Sequence, residues 1–400
     1  MLSGTVDTMK PVYINDRLKQ MESVPPHFKL HHPGNSGEVR FDFERHVQIE
    51  LPQTVKTLDF KTVQYPYTPE VKRAFPGLAY TQPFRLLSDE GVQALRNVID
   101  MHKDQYLKYN GRNNSLRGLG FLSQFVRDLA SSEEISQAFS DLAQEPLGPN
   151  NLTMNTCHTN FGIPGDGRAV DQWHVDSVDY VSVLIVSDMT DMEGGELQVL
   201  QLSDSSGKEF DRLRLQGIPS HLVENVNYKR AGYCIFCQGS KILHSVTPVL
   251  SAREPRISCV QSFTRLNVFA PDMLRYCTYK EISYDPLNVL NYEYAKHKAW
   301  RVNGQLKYLI EKLSIDADIE KLASILENAG NELLYAKDLL LSKRNDRAGF
   351  IVNEKDYLTK EGLDDGSQEA TTVAASAPIS GVLPQSDDTE GQVVKRARRA

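Results

Sequence analysis

The stretch QWHVDSVDYVSVLIV, residues 172–186, places His174 and Asp176 two residues apart, directly ahead of a run of branched apolar residues. Val, Ile and Leu in such density read as a buried strand. A His-x-Asp pair arises by chance often enough that alone it does not establish a metal site, so its weight depends on its surroundings. From about residue 150 the surroundings are β in texture: NLTMNTCHTNFG (151–162), YVSVLIVSDM (180–189), GGELQVLQL (194–202), AGYCIFCQG (231–239), KILHSVTPVL (241–250) and RISCVQSFTRLN (256–267). Short apolar runs with Gly, Pro, Asp and Ser between them predict an antiparallel sandwich or barrel.

Helical patterning flanks this region. LLSDEGVQALRNVIDMHKDQYLKYN predicts a helix with Ser88 as N-cap, and SSEEISQAFSDLAQEPLG a second, capped by Ser131 or Ser132 and stopped by Pro146. In VRFDFERHVQIELP the alternation of Val39, Phe41 and Phe43 predicts a strand with one buried face. After about residue 285 the chain turns helical again, with a break expected near Gly330. The expected layout is an N-terminal mixed α/β extension with buttressing helices (1–149), a β core (150–270), a C-terminal helical region (271–345) and a mostly disordered tail (346–400) that ends in the basic KRARRA. A nuclear-localisation signal or an acidic-partner contact is one reading of those basic residues, and a solvated tail the other.

The 400 residues carry 45 basic and 52 acidic side chains, a formal charge of −7, which disfavours a general nucleic-acid binder. The chain has no apolar run of spanning length, and its first residues lack the apolar core of a signal peptide, so no membrane association is expected. Five cysteines, an odd and sparse number, predict a reducing compartment and a cytoplasmic protein.

Far downstream of Asp176 comes His244, in KILHSVTPV, and then Arg256, which opens RISCVQSF. Two histidines and one carboxylate suit a facial triad around Fe(II), which leaves coordination positions open. At this point the sequence resembles the Fe(II)/2-oxoglutarate-dependent dioxygenases, with their His-x-Asp…His…Arg pattern. The likeness covers about residues 150–268. HVDSVDYVSVLIV resembles the family's His-x-Asp strand, GGELQV its turn and following strand, GYCIFCQGSKILHSVTPV the segment presenting the distal histidine, and RISCVQSF the closing strand with Arg and Ser two apart.

The resemblance implies a double-stranded β-helix (jelly-roll) core with helical additions before and after it. It implies that His174, Asp176 and His244 bind Fe(II), and that Arg256 holds the distal carboxylate of 2-oxoglutarate in a two-pronged ion pair, with Ser258 on the same strand face able to donate to it. Proton competition for the two histidines is expected below about pH 6.5. It implies oxidative decarboxylation of 2-oxoglutarate to succinate and CO2, with O2 as co-substrate and oxidation of an unactivated C–H bond, most simply its hydroxylation. Relatives that transfer halide carry Gly or Ala at the position of Asp176, so oxygen-derived chemistry is implied here. Arg253 is a rival for the cosubstrate, but Glu254 and Pro255 put it in a turn.

Other candidates carry less. Cys234 and Cys237, three apart on a strand, point to opposite faces and cannot share a metal. His158 and Asn160 share a parity and are candidates for the pocket or for plain strand-end hydrogen bonds. Tyr180 shares parity with His174 and Asp176 but reads more readily as core, and Trp173 as packing outside the barrel. The Asn-, Arg- and Gly-rich residues 110–125 read equally as a substrate lid or an ordinary connection.

Three function classes follow: an oxygenase acting on a small molecule such as an amino acid or biosynthetic intermediate, which is preferred; an enzyme modifying a protein or nucleic acid; and a non-catalytic binding module. The sequence leaves open whether the C-terminal helices cover the barrel or form a homodimer contact.

Overall fold

The structure is a computed structural model, and it describes residues 37–58, 77–109, 112–201, 213, 217–228, 230–276 and 285–341. The tail, its basic end and the fifth cysteine, Cys277, lie outside these residues.

The chain begins with a single helical turn, α1 (Phe43–His46), and then strands β1 (Val47–Glu50), β2 (Val55–Thr57), β3 (Leu78–Thr81) and β4 (Phe84–Leu87). Helix α2 (Asp89–Tyr106) leads to β5 (Leu107–Tyr109) and β6 (Asn114–Leu116). Helices α3 (Leu119–Leu122), α4 (Gln124–Ala130) and α5 (Glu133–Ala143) follow. Next come β7 (Leu147–Pro149), β8 (His158–Gly162), β9 (Ala169–His174), β10 (Tyr180–Ile185), β11 (Glu193–Gly194), β12 (Leu197–Leu200), β13 (Val223–Val226), β14 (Tyr233–Cys237), β15 (His244–Ser251) and β16 (Arg256–Arg265). Two long helices, α6 (Leu287–Lys312) and α7 (Ile319–Leu341), close the described chain.

Among the described residues these strands form two antiparallel sheets. An 11-stranded sheet runs β1-β4-β14-β10-β16-β8-β6-β5, with β2, β3 and β7 joined at its sides. A 5-stranded sheet runs β11-β15-β12-β13, with β9 paired to β15. From β8 to β16 the chain passes repeatedly between the sheets: β8, β10, β14 and β16 belong to the larger, β9, β12, β13 and β15 to the smaller. Strands from before residue 150 complete the larger sheet.

The central strands of the larger sheet, β10, β14 and β16, are buried on both faces, and strand parity decides which side chain goes where. On β10 and β14, Tyr180, Leu184, Cys234 and Phe236 face the helices, packing with Leu95 and Ile99 of α2, Val126 of α4 and Phe139 of α5. There Phe139 stacks on Phe236 with ring centroids 4.5 Å apart and meets Phe263 edge-on at 4.9 Å. Val181, Val183, Ile235 and Cys237 face the other way, with Val199, Val246 and Val260. Cys234 and Cys237 therefore sit in different cores, as their spacing predicts.

Local chemistry sets the helix ends. Ser88 caps α2 by accepting from Gly91 N at 3.0 Å, and Ser132 caps α5 by accepting from Ile135 N at 3.3 Å. Helix α5 ends at Gln144, in the left-handed region at φ 59°, before Pro146 is reached. Two expectations are corrected. The alternation at 39–43 does not make a strand: Asp42 caps the turn of α1 by accepting from Arg45 N, its own N–H donates to His46 Nδ1, and the strand starts at Val47. Gly330 does not break its helix, because Ile325, Ala329, Ala336 and Leu339 form one continuous buried stripe along α7.

Helix α6 is fixed by buried charge. Asp272, in the segment after β16, accepts from Lys298 Nζ at 2.6 Å and faces His297 Nε2 at 3.0 Å. Arg301 Nε donates to Glu332 of α7 at 2.6 Å, and its Nη2 donates to the Val268 and Ala270 carbonyls. The two C-terminal helices are thereby tied to each other and to the end of the β core.

Candidate metal centre

His174 and His244 meet because their strands are neighbours: the β9–β15 register places them opposite each other, with ring centroids 4.2 Å apart. His174 is the last residue of β9, so Asp176 lies in the connection to β10. The strand breaks between His174 and Tyr180, so the parity they share in sequence does not put Tyr180 at the site, and the preferred reading of it as core holds. Tyr180 belongs to the helix-facing core, stacked on Phe236, with its hydroxyl donating to Glu145 and accepting from Gln238.

Asp176 is held by its backbone. Its N–H donates to Gly239 O at 2.9 Å. Gly239 also leaves the space for the side chain, because a Cβ there would lie 1.8 Å from Asp176 Oδ2. The carboxylate spans the two rings, with Oδ1 3.3 Å from His174 Nε2 and Oδ2 3.7 Å from His244 Nε2. Ligand atoms from the three residues all lie within 4.8 Å of one another.

Each ring is oriented from behind. His174 Nδ1 is 2.6 Å from Gln172 O and His244 Nδ1 is 3.1 Å from Ile242 O. A carbonyl can only accept, so Nδ1 carries the proton in both neutral rings and Nε2 faces inward with its lone pair. Burial lowers His244 to about 4, and the neighbouring His174 adds to the effect against the opposing pull of Asp176. Proton competition at His244 therefore begins well below the pH 6.5 expected from the sequence. Burial pushes the Asp176 carboxyl upward, but the positive charge that the His244 and His174 rings carry in acid, with Arg112 beside them, outweighs it and holds the carboxyl well below the usual carboxylate range. Its Oδ2 is buried without a hydrogen-bond partner. Two neutral nitrogens facing one under-satisfied carboxylate fit a divalent cation of the first transition row.

Arg256 is fully buried at the start of β16. Its Nε donates to Gly195 O at 2.9 Å and its Nη1 to Ser258 Oγ at 2.9 Å. Gly195 sits at φ +73°, and a Cβ there would come within 2.9 Å of Arg256 Cδ, so glycine is needed for this close approach. Nη2 is buried with no hydrogen-bond partner. Burial lowers the guanidinium from its ordinary value, with Tyr228, Asp171 and Glu196 acting in opposition. A buried guanidinium with an unused donor prong is a site for an anion. Ser258, by accepting from Nη1, keeps its own O–H free to donate. Arg253, the rival, is exposed and paired with Asp188 and Asp191.

The β8–β16 register puts Asn160 opposite Ser258 and His158 opposite Val260, so both share the face that Arg256 presents. Asn160 accepts from Asn113 Nδ2 at 3.3 Å. His158 is lowered to about 3, first by burial and then by Arg117, and its Nδ1 is buried without a partner. Trp173 packs with Val175, Leu200 and Leu222 in a small separate core.

Two charged residues escaped the sequence reading. Arg112, within the 110–125 stretch, forks onto Asp171, a buried acid near the start of β9. The same guanidinium lies 2.9 Å from His174 Nε2. Neither residue belongs to a readable spacing; they meet because β6 pairs with β8 and β8 lies against β9 across the two sheets.

Comparison with protein-family models and with curated proteins finds no match. Solved structures do align. A Pseudomonas putida prolyl-4-hydroxylase aligns at 15% identity and TM-score 0.33, over 47% of this chain and 92% of its own. HygX from Streptomyces hygroscopicus, solved with nickel and 2-oxoglutarate, aligns at 13% identity and TM-score 0.34, over 51% and 89%. EctD from S. alaskensis, solved with bound Fe, aligns at 14% identity and TM-score 0.37, over 56% and 86%.

Proposed function

We propose that this chain is an Fe(II)/2-oxoglutarate-dependent dioxygenase that oxidises, most simply hydroxylates, an unactivated C–H bond of a small molecule such as an amino acid or a biosynthetic intermediate. The passage of the chain between two antiparallel sheets supports reading residues 150–270 as a double-stranded β-helix, with the N- and C-terminal helices as additions. The observation that carries the proposal is the pairing of two sites: the His174–Asp176–His244 cluster, and the buried Arg256 with an unused donor. His174, Asp176 and His244 would hold the iron, and Arg256 and Ser258 would hold the distal carboxylate of 2-oxoglutarate. Iron, 2-oxoglutarate and O2 together supply an oxidant strong enough for a C–H bond, with release of succinate and CO2.

The residues of this chain supply geometry. Gln172 O and Ile242 O aim the two Nε2 lone pairs, and the Gly239 carbonyl, which accepts from Asp176 N–H, and its missing side chain set Asp176. Arg256 is pre-oriented by Gly195 and Ser258, so little order remains to be gained when an anion arrives. The test is succinate formation by protein loaded anaerobically with Fe(II) and 2-oxoglutarate and then exposed to O2, with and without pools of amino acids and small metabolites. Succinate that rises with one pool supports the proposal; no succinate with any pool, together with no iron binding, would favour a non-catalytic binding module.

A further inference from the structure

Asp171 is a second acid beside the iron ligands. Its side chain is 7% exposed, and its Oδ2 lies 3.8 Å from His174 Nε2. Two donors on one ion with bonds of about 2.0–2.2 Å are separated by about 3 Å when adjacent and at most about 4.4 Å when opposite. His174 Nε2 and Asp176 Oδ1, at 3.3 Å, meet that condition, and so does Asp171 Oδ2 at 3.8 Å. Asp171 meets it toward His174 only and is not one of the three residues whose ligand atoms cluster within 4.8 Å, so it stands at the edge of the metal position, where a swing of its side chain would bring it in. A facial triad works because three positions stay open, two for a chelating cosubstrate and one for O2. A second protein carboxylate would take one of them.

Arg112 stands in the way. Nε and Nη2 grip the two oxygens of Asp171 in a fork, with Nη2 to Oδ2 at 2.7 Å. Since His174 Nδ1 carries the ring proton, Nη2 at 2.9 Å donates to the Nε2 lone pair that iron would use. An ion held by Nε2 would replace this last contact, while the fork on Asp171 uses other guanidinium hydrogens. Resting on the reading of the site given above, we propose that Arg112 is a positioning residue that holds Asp171 out of the iron's coordination sphere and so keeps the cosubstrate positions open.

The experiment measures binding, with no turnover required. Wild type, Arg112→Gln, Asp171→Asn and the double variant are loaded with Co(II), and 2-oxoglutarate affinity is measured by calorimetry alongside the Co(II) absorption spectrum. Arg112→Gln should bind Co(II) at least as tightly as wild type, show a changed Co(II) spectrum, and bind 2-oxoglutarate about 10-fold or more weakly, the scale for outer residues of metal sites. Asp171→Asn and the double variant should bind 2-oxoglutarate as wild type does. Unchanged 2-oxoglutarate affinity in Arg112→Gln overturns the proposal. A loss that persists in the double variant also overturns it, since Arg112 would then be touching the cosubstrate itself. Should Arg112→Gln fail to fold, Arg112→Lys carries the test: it keeps the charge but loses the fork, and its loss of affinity must vanish when Asp171 is Asn. Failure of the site reading is distinguishable, because it would appear as absence of Co(II) binding in wild type, or as Co(II) binding that survives His174→Ala.

Discussion

At the scale of single residues, the site depends on two glycines as much as on its ligands. Gly239→Ala places a methyl group 1.8 Å from Asp176 Oδ2 and 3.0 Å from its Cβ, so the carboxylate must turn away from the two rings. The expected result is a loss of about 10–100-fold in iron affinity with the fold retained, measured by metal titration and circular dichroism. The two arginines separate similarly. Arg256→Ala should raise the 2-oxoglutarate requirement at least about 100-fold, the cost of several kcal/mol when a charged, hydrogen-bonded anion partner is removed. Arg253→Ala removes an exposed pair to Asp188 and Asp191 and should leave the requirement within about twofold. The reverse order would exchange their roles. His174, Asp176, His244 and Arg256 were legible in the sequence because their residue types are rare in apolar strands and stand next to strand signals. Arg112, Asp171, Gly195 and Gly239 were not, because each matters only through a neighbour supplied by a different strand or connection. No local pattern marks Asp171 as an acid beside a metal, or Gly239 as the cradle of Asp176.

At the scale of elements, strand parity was the most dependable guide and helix breakers the least. Parity separated Cys234 from Cys237, and aligned His158 and Asn160 with the face of Ser258. It misled at residues 39–43, where Asp42 caps a helical turn instead; at Tyr180 the interruption between β9 and β10 resets the phase, and the residue lies in the core as preferred. Gly330 shows why a breaker is a weak signal. Nothing lies within 4 Å of where its Cβ would stand, and the buried stripe of α7 continues past it. The glycine only costs backbone entropy there, so Gly330→Ala should stabilise the protein by about 0.5–1 kcal/mol in denaturant unfolding, with metal binding unaltered. Destabilisation by that substitution would mean that this face of α7 is covered in solution.

At the scale of the whole molecule, the buried polar interior makes stability depend on pH in a definite direction. His244 and His158 titrate near 4 and 3 in the folded protein against 6.5 in an exposed chain. Between those values the unfolded chain binds the extra protons, so their contribution is complete above about pH 6.5 and is lost as pH falls toward 4. Glu145 and Asp179, which burial holds above the usual carboxyl range, act in the opposite sense. The comparison of wild type with His158→Gln isolates the histidine part: the metal-free wild type should lose more of its Tm between about pH 7 and about pH 4.5 than the variant does. Equal losses would show that His158 is protonated in the folded state. Among the described residues no helix is long and apolar enough to cross a membrane.

The central claim, that the paired strands β9 and β15 present an iron site coupled to a cosubstrate site at Arg256, is tested most directly by anaerobic titration of the purified chain with Fe(II), followed by 2-oxoglutarate. The account predicts one iron per chain in wild type and none in His174→Ala or His244→Ala. It also predicts 2-oxoglutarate binding that requires the metal and is lost in Arg256→Ala although iron is retained. Iron bound equally by wild type and both histidine variants, or 2-oxoglutarate bound equally with and without Arg256, would contradict it.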